Sequence, residues 1–411
     1  MEMPLDRKIW VTLVLIAIGI VVFFGVLIFK DIGNISLISS IKTKGLQEEC
    51  ENKGQGQVQC WEDLLSETLE KQGISAAFDV IDHMYEAQSD CHGYVHIIGE
   101  EAYKLFSENK DMELTSKTYY CGYGFYHGFM ETLLHTSGNI QKAREFCAYV
   151  DKQLTEQVKG AEAACYHGIG HGAVDGGDPR YWGDIEGMIK PSIEMCELVA
   201  ETEFQLYICA TGVFNAIDIL SLDPKYKLDS IEEDPYWLCD RQSAHYKEAC
   251  YTNMIPPLLR TMQRDFSKIA QRIETIEEHE EDYSLTSMME GIGENNYSMR
   301  YIVMSALFHE YARANLTKAK EGIMLCHTLK DPRSRIPCIE GLSGAFMKYG
   351  EPKIEYIKGL EFCNLPELAK DEQIACFQHI ITRLRLWYSS DVASQICKTV
   401  KEEFQNFCPG Y

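Results

Sequence analysis

Several signatures are missing from this chain of 411 residues, and each absence removes a class of function. There is no P-loop, no G-x-G-x-x-G after a strand pattern, no G-x-S-x-G and no H-E-x-x-H, so nucleotide-dependent and serine-hydrolase chemistry find no footing. No C-x-x-C occurs, which sets aside zinc ribbons and thioredoxin-like motifs. Alternating strand patterns are lacking, and proline, at 12 residues, falls mostly in connections. Positive charge is scarce: 39 Lys and Arg stand against 62 Asp and Glu, a net charge of -23. Such a surface repels phosphate backbones, so no nucleic-acid partner is expected.

What is present begins with an uncharged run, IWVTLVLIAIGIVVFFGVLIF, over 9–29. At about 1.5 Å per residue it spans the roughly 30 Å hydrocarbon core as a helix. Lys30 and Asp31 follow at once, without a small-residue cleavage site, which favours an uncleaved anchor over a signal peptide. Basic residues flank both ends, so charge alone does not orient it.

The 16 cysteines are the dominant compositional feature. Most pair at a short, nearly constant gap: Cys50/Cys60, Cys147/Cys165, Cys196/Cys209, Cys239/Cys250, Cys326/Cys338, Cys363/Cys376 and Cys397/Cys408. The second member of many pairs opens a recurring row. The rows read CGYGFYHG from Cys121, CYHGIGHG from Cys165, CATGVFNA from Cys209, CYTNMIPP from Cys250, CIEGLSGA from Cys338 and CFQHIITR from Cys376. A further row places Met288 in the Cys slot, and no cysteine stands near Ile276, where its partner would lie. Losing both members together is the mark of a bonded pair. Starts are spaced 44, 44, 41, 38, 50 and 38 residues, the length of a two-helix repeat.

Between row starts, GISAAFDVIDHMYEAQ and KIAQRIETIEEHEE place apolar residues at helical spacing, and DGGDPRYWGD and LDPKYKLDSIEEDP break the pattern. The expected fold is all-α: helical-hairpin repeats, as an α-solenoid or an α/α toroid, stapled by disulfides and preceded by one transmembrane helix. Stable disulfides need an oxidising compartment. The expected organisation is therefore a cytoplasmic tail over 1–8, the anchor over 9–29, a linker over 30–45 and an extracytoplasmic repeat domain over 46–411. Sequons at Asn34, Asn296 and Asn315 are compatible with it.

Histidines define the candidate site. His96, His127 and His171 are each followed four residues later by a carboxylate, Glu100, Glu131 and Asp175, on the same helical face. His92 and His167 stand one turn before His96 and His171. His127 and His171 share a repeat column, six residues after the row's Cys, so neighbouring helices about 8–10 Å apart would bring them together. Three histidines with an open position suit zinc, copper or iron, and the carboxylates would orient the rings. Duplication with the repeat also explains them, as packing residues beside glycine. Against that, later rows carry Asn215, Pro256, Glu294, Gly344 and Thr382 in the column. Glu290 and Glu294 offer an acidic pair, more simply read as a solvated face.

Cys91 and Cys121 have no short-gap partner, and either bond to each other or offer thiolates beside the histidines. Cys91-His92-Gly93 and the HGIGHG run from His167 resemble motifs of lanthionine-cyclase-type α/α toroids, over about 80 residues and in reversed order. The resemblance implies zinc held by Cys91, His92 and Cys121.

Two functions follow as expectations. The first is a membrane-anchored binding module for a protein, peptide or glycan, its surface supplied by 23 Tyr, 17 Phe and 5 Trp. The second is a metal protein or metal-dependent enzyme with its site in the N-terminal rows.

Overall fold

A computed structural model describes residues 49–408, apart from 55, 88–90, 109–111, 155, 176, 278–297 and 314–315. The apolar segment over 9–29, the Met288 row with Glu290 and Glu294, and the three sequons lie outside the described residues. Contacts divide the chain after Leu64. The first unit contributes the Cys50–Cys60 disulfide. The site and the packing discussed below belong to the second unit.

The protein is all-helical, without strands among the described residues. The helices used here are α1 (Gln57–Gln72), α2 (Ile74–Ala87), α3 (His92–Ser107), α4 (Tyr120–Ser137), α5 (Ile140–Leu154), α6 (Gly160–Asp175), α7 (Ile185–Val199) and α8 (Glu203–Ser221). They continue as α9 (Ala244–Asn253), α10 (Met299–Arg313), α11 (Ala319–His327), α12 (Arg335–Tyr349), α13 (Glu355–Cys363), α14 (Lys370–Trp387) and α15 (Ser390–Cys397).

The two kinds of helix follow from composition. In α5 the buried residues Ala143, Phe146, Cys147, Val150 and Leu154 recur at three- and four-residue spacing, one stripe of an otherwise polar helix. In α6 the burial runs almost all round, from Ala161 through Cys165, Ile169 and Val174. Helix α8 is likewise buried on nearly every side, which explains why its length and apolarity alone would suit a membrane span. Such helices are inner helices. In succession α3, α4, α6, α8, α9, α10, α12 and α14 pack each on the next, while α5, α7, α11 and α13 lie against them. Helix α12 also touches α4, and α14 touches α6. There Tyr123 Oη donates to the Leu386 carbonyl at 2.8 Å and Lys159 N to the Arg385 carbonyl at 3.3 Å.

The glycine column of the repeat has one recurring task. A Cβ on Gly124, Gly168, Gly212 or Gly341 would overlap the carbonyl oxygen of His92, Tyr126, His167 or Ser305, each on the preceding inner helix. Backbones approach there too closely for any side chain. The last row has His379 in this column.

All eight cysteine pairs lie at bonding distance, with Cα separations from 5.3 to 6.0 Å. Five join a peripheral helix or turn to the inner helix that follows: Cys147 to Cys165, Cys196 to Cys209, Cys239 to Cys250, Cys326 to Cys338 and Cys363 to Cys376. Loops of this length contribute about 3 kcal/mol each in the chain-entropy account. Cys91 bonds to Cys121, so neither offers the thiolate ligand that the cyclase resemblance implies. Many of the aromatics pack inside the domain. Phe78, Phe125, Tyr126, Phe129, Phe146, Phe214, Tyr236, Phe308 and Phe377 are fully buried, so much of the aromatic complement fills the core rather than a partner surface.

Candidate metal centre

Helices α3, α4 and α6 bring the five histidines together. His92 and His96 project one turn apart from α3, His127 from α4, and His167 and His171 one turn apart from α6. Close approach of the three backbones, made possible by Gly124, Gly128, Gly168 and Gly172, lets short imidazole side chains meet. Two sets of three can each hold an ion, with ligand atoms within 4.8 Å of one another: His92, His96 and His127, and His127, His167 and His171.

The two sets differ in ring orientation. In the first, ring centres are 4.9, 5.1 and 5.1 Å apart and the planes cross at 61°, 70° and 86°. An imidazole lone pair lies in the ring plane, so crossed rings can aim at one point. With metal–nitrogen bonds of about 2.0–2.1 Å, two rings on one ion at a near-tetrahedral angle have centres about 5 Å apart. In the second set His127 stacks on His167 and His171, with planes at 30° and 19° and centres 4.8 and 4.6 Å apart. Stacked rings hold their lone pairs in near-parallel, offset planes.

A hydrogen bond fixes the tautomer of His92. His92 Nδ1 lies 2.6 Å from the Cys121 carbonyl, which only accepts, so the proton is on Nδ1 and the lone pair on Nε2. His96 Nδ1 lies 3.8 Å from a Glu131 carboxylate oxygen, beyond hydrogen-bonding reach, which leaves the His96 proton free to sit on either nitrogen. The two Nε2 atoms face each other at 3.2 Å. With the His96 proton on Nε2 this contact is a hydrogen bond to the His92 lone pair, and with it on Nδ1 both lone pairs face one point, where a cation fits. His127 Nδ1 has no hydrogen-bond partner although the residue is only 6% exposed.

In the second set the nitrogens are largely committed. His171 Nδ1 is 3.1 Å from Glu131 and its Nε2 is 2.7 Å from Asn215 Oδ1. Thr211 Oγ1 donates to the Ile208 carbonyl at 2.6 Å, so it accepts from His167 Nδ1, 2.7 Å away. Glu131 thus serves His96 and His171 on the neighbouring helices. Asp175 accepts from Tyr226 Oη at 3.2 Å, and Glu100 is exposed.

Burial sets the charge state. It holds His92, His127 and His167 well below the ordinary histidine range and lowers His96 to about 4, despite the Glu131 carboxylate. Burial would raise Glu131, but the His171 hydrogen bond and the charges of His171 and His96 outweigh it and keep the carboxyl ionised. Neutral imidazoles are the ligand form, and oxygen acceptors on their other nitrogens are the usual outer support of metal-bound histidine.

The turn that carries the Cys121 carbonyl is unusual. Cys121, Gly122 and Tyr123 are left-handed in succession, at φ 55°, 68° and 64°. Such conformations cost of order 1 kcal/mol for non-glycine residues and persist only when held. The Cys91–Cys121 bond and the Tyr123–Leu386 hydrogen bond hold this one.

Thr211, Asn215 and the Cys121 carbonyl carry no ligand signature in the sequence. Thr211 and Asn215 do occupy the columns of His167 and His171 one row on, which is the signal that finds them. The chain matches no protein-family model, no curated protein and no solved structure.

Proposed function

We propose that this protein is a membrane-anchored, extracytoplasmic metal-binding protein whose ion is held by His92, His96 and His127. The observation that carries the reading is the convergence of His92, His96 and His127, whose ligand atoms lie within 4.8 Å of one another, with the His92 proton held on Nδ1 by the Cys121 carbonyl and its Nε2 3.2 Å from that of His96. Three neutral nitrogens on crossed rings form a facial set that leaves a position open, as zinc, copper and iron sites of the catalytic type do. His167 and His171 stack behind His127 as support, and Glu131 orients His96 and His171. This set includes His92 and leaves out His171, which shares the repeat column of His127.

The succession of inner helices reads as helical-hairpin repeats that close on themselves, a toroid rather than an open solenoid. The α12–α4 and α14–α6 contacts support it. Eight disulfides favour the oxidising side of a membrane for the helical domain, with the 9–29 segment as anchor and the 1–8 tail in the cytosol. A binding module for a protein, peptide or glycan remains the second reading; burial of so many aromatics weighs against it.

The test is elemental analysis of the full-length chain purified in detergent, after exposure to zinc, copper or iron and desalting. The expected result is about one ion per chain, lost in the His92→Ala/His96→Ala variant with helicity preserved. Failure of the wild-type chain to retain any of the three metals would sink the metal reading and leave the binding module.

A further inference from the structure

One disulfide of the second unit, Cys91–Cys121, differs from the other six. Both cysteines of those six are buried, at 5% exposure or less, and so is Cys91 at 3%, whereas Cys121 is only half-buried. The bond joins the starts of two successive inner helices, α3 and α4, rather than a peripheral element to the inner helix after it. Its two ends are chemically unequal. Cys91 is the N-cap of α3, where no side chain caps the helix, so the free backbone N–H groups of the first turn favour a thiolate on Cys91. Cys121 opens the left-handed turn, in which Cys121 and Tyr123 hold φ 55° and 64° without glycine's freedom. Gly122, between them, lies against the site: a Cβ on it would be 3.5 Å from His92 Nδ1 and 3.5 Å from Lys348 Cε of α12. The carbonyl 2.6 Å from His92 Nδ1 belongs to Cys121 itself. The bond that solvent reaches is thus also the bond that closes a strained turn and fixes a metal ligand.

We propose that Cys91–Cys121 is a thiol–disulfide exchange site for a dithiol reductant, and that its opening loosens His92 from the metal centre. A thiolate of the reductant attacks Cys121 Sγ. The S–S bond breaks, and its electron pair leaves on Cys91 Sγ, at the helix N-terminus that stabilises the leaving thiolate before it takes up a proton. The second thiol of the reductant then attacks the mixed disulfide, releasing Cys121 as a thiol and leaving the reductant oxidised to a disulfide. Two electrons and two protons pass to the protein. With the bond gone, Cys121 and Tyr123 return toward right-handed backbone, and the Cys121 carbonyl turns away from His92. The effect on the ion rests on the metal reading, whereas exchange at Cys91–Cys121 does not.

The experiment treats the full-length chain in detergent, without denaturant, with a series of dithiothreitol concentrations. Freed thiols are alkylated and assigned by peptide mapping, and circular dichroism follows helicity. Cys91 and Cys121 are expected to open at about tenfold less dithiothreitol than the other six disulfides of the unit, with helicity retained. Alkylated and desalted, the opened chain is expected to hold zinc about tenfold to a hundredfold less tightly than the untreated chain. The Cys91→Ser/Cys121→Ser variant is expected to match it without any reductant, which ties the loss to this one bond. The inference is overturned if Cys91–Cys121 opens together with the other six, if it opens only as helicity is lost, or if both the opened chain and the double serine variant hold zinc as the untreated chain does. A chain that retains none of zinc, copper and iron yet opens Cys91–Cys121 first refutes the metal reading and keeps the exchange site.

Discussion

The early and late rows of the repeat share a scaffold and differ in what they do with histidine. Both use glycine against a carbonyl, at Gly168 and Gly212 in one and Gly341 in the other. Both staple a peripheral helix to an inner one. In the late rows two histidines each have a carboxylate of their own. His379 Nδ1 lies 3.5 Å from buried Glu340, and His327 Nε2 lies 3.0 Å from Glu372. In the early rows five histidines gather around Glu131, which lies beside only two of them. Too few anions are present to neutralise five imidazolium rings, so burial keeps most of the rings neutral. The comparison teaches that the scaffold does not dictate the chemistry. Pairing each histidine with an acid makes core structure, and withholding the acids makes lone pairs.

The sharpest way to break this comparison is to remove one histidine from each side. His127→Ala should reduce metal affinity by more than about a hundredfold with little change in melting temperature, since its Nδ1 holds nothing else. His379→Ala should leave metal content intact and destabilise the fold by about 1–3 kcal/mol, because Glu340 loses a buried partner. Equal effects on metal content would erase the distinction.

Staples offer the next contrast. Removing the Cys91–Cys121 bond frees the left-handed turn and with it the carbonyl on His92. Metal affinity should fall by about tenfold to a hundredfold, the usual effect of losing an outer-shell partner. Removing Cys363–Cys376 should lower only the melting temperature. Affinity that follows stability alike in both variants would deny the turn any part in the site.

Glycine tests the shared scaffold. Gly212→Ala must push α8 off the His167 carbonyl, at a cost of about 3 kcal/mol. Gly93→Ala, where nothing lies within 4 Å, should be neutral or slightly stabilising. Thermal denaturation of the two variants reads the difference directly.

A pH-dependent contrast belongs to a group outside the histidine rows. Burial raises Glu355 to about 7, although the Tyr388 hydroxyl bonds to it. A raised carboxyl contributes stability that is fully present below its unfolded value, near 4.5, and is lost as pH rises through about 7. The loss amounts to roughly 3 kcal/mol. Glu355→Gln should flatten that part of the stability profile, and its melting temperature relative to wild type should be higher at pH 8 than at pH 5. An unchanged difference between the two pH values would place the ionised carboxylate in a better-solvated setting.

Much of the scaffold was legible in the sequence, because a disulfide and a glycine contact both constrain backbone distance and so mark fixed positions in every repeat. The short-gap cysteines paired as their spacing implied. His127 and His171 were found by their shared column, and they do meet. What spacing cannot encode is ring orientation. Stacking sets His171 beside His127 without aiming both at one point, and His92 is held by the carbonyl of a left-handed turn on α4 that no periodicity announces. Glu131 was assigned to the histidine four residues before it and lies instead against rings on two other helices. Lys348, distant along the chain from every histidine of the site, is visible only after α12 has folded against α4.

The pattern of disulfides has a consequence for how the chain comes apart. Covalently, the polymer is a row of closed loops joined by single threads. A protease that cuts inside a loop, between Cys147 and Cys165 for example, leaves the two ends tied together. A cut in the thread between α6 and α7, over 177–184, lies inside no loop and severs the molecule. Nicks before a stapled inner helix such as α6 or α8 are therefore silent on a non-reducing gel, whereas nicks after it release a fragment. The polarity of each hairpin is written into which wounds the molecule survives in one piece.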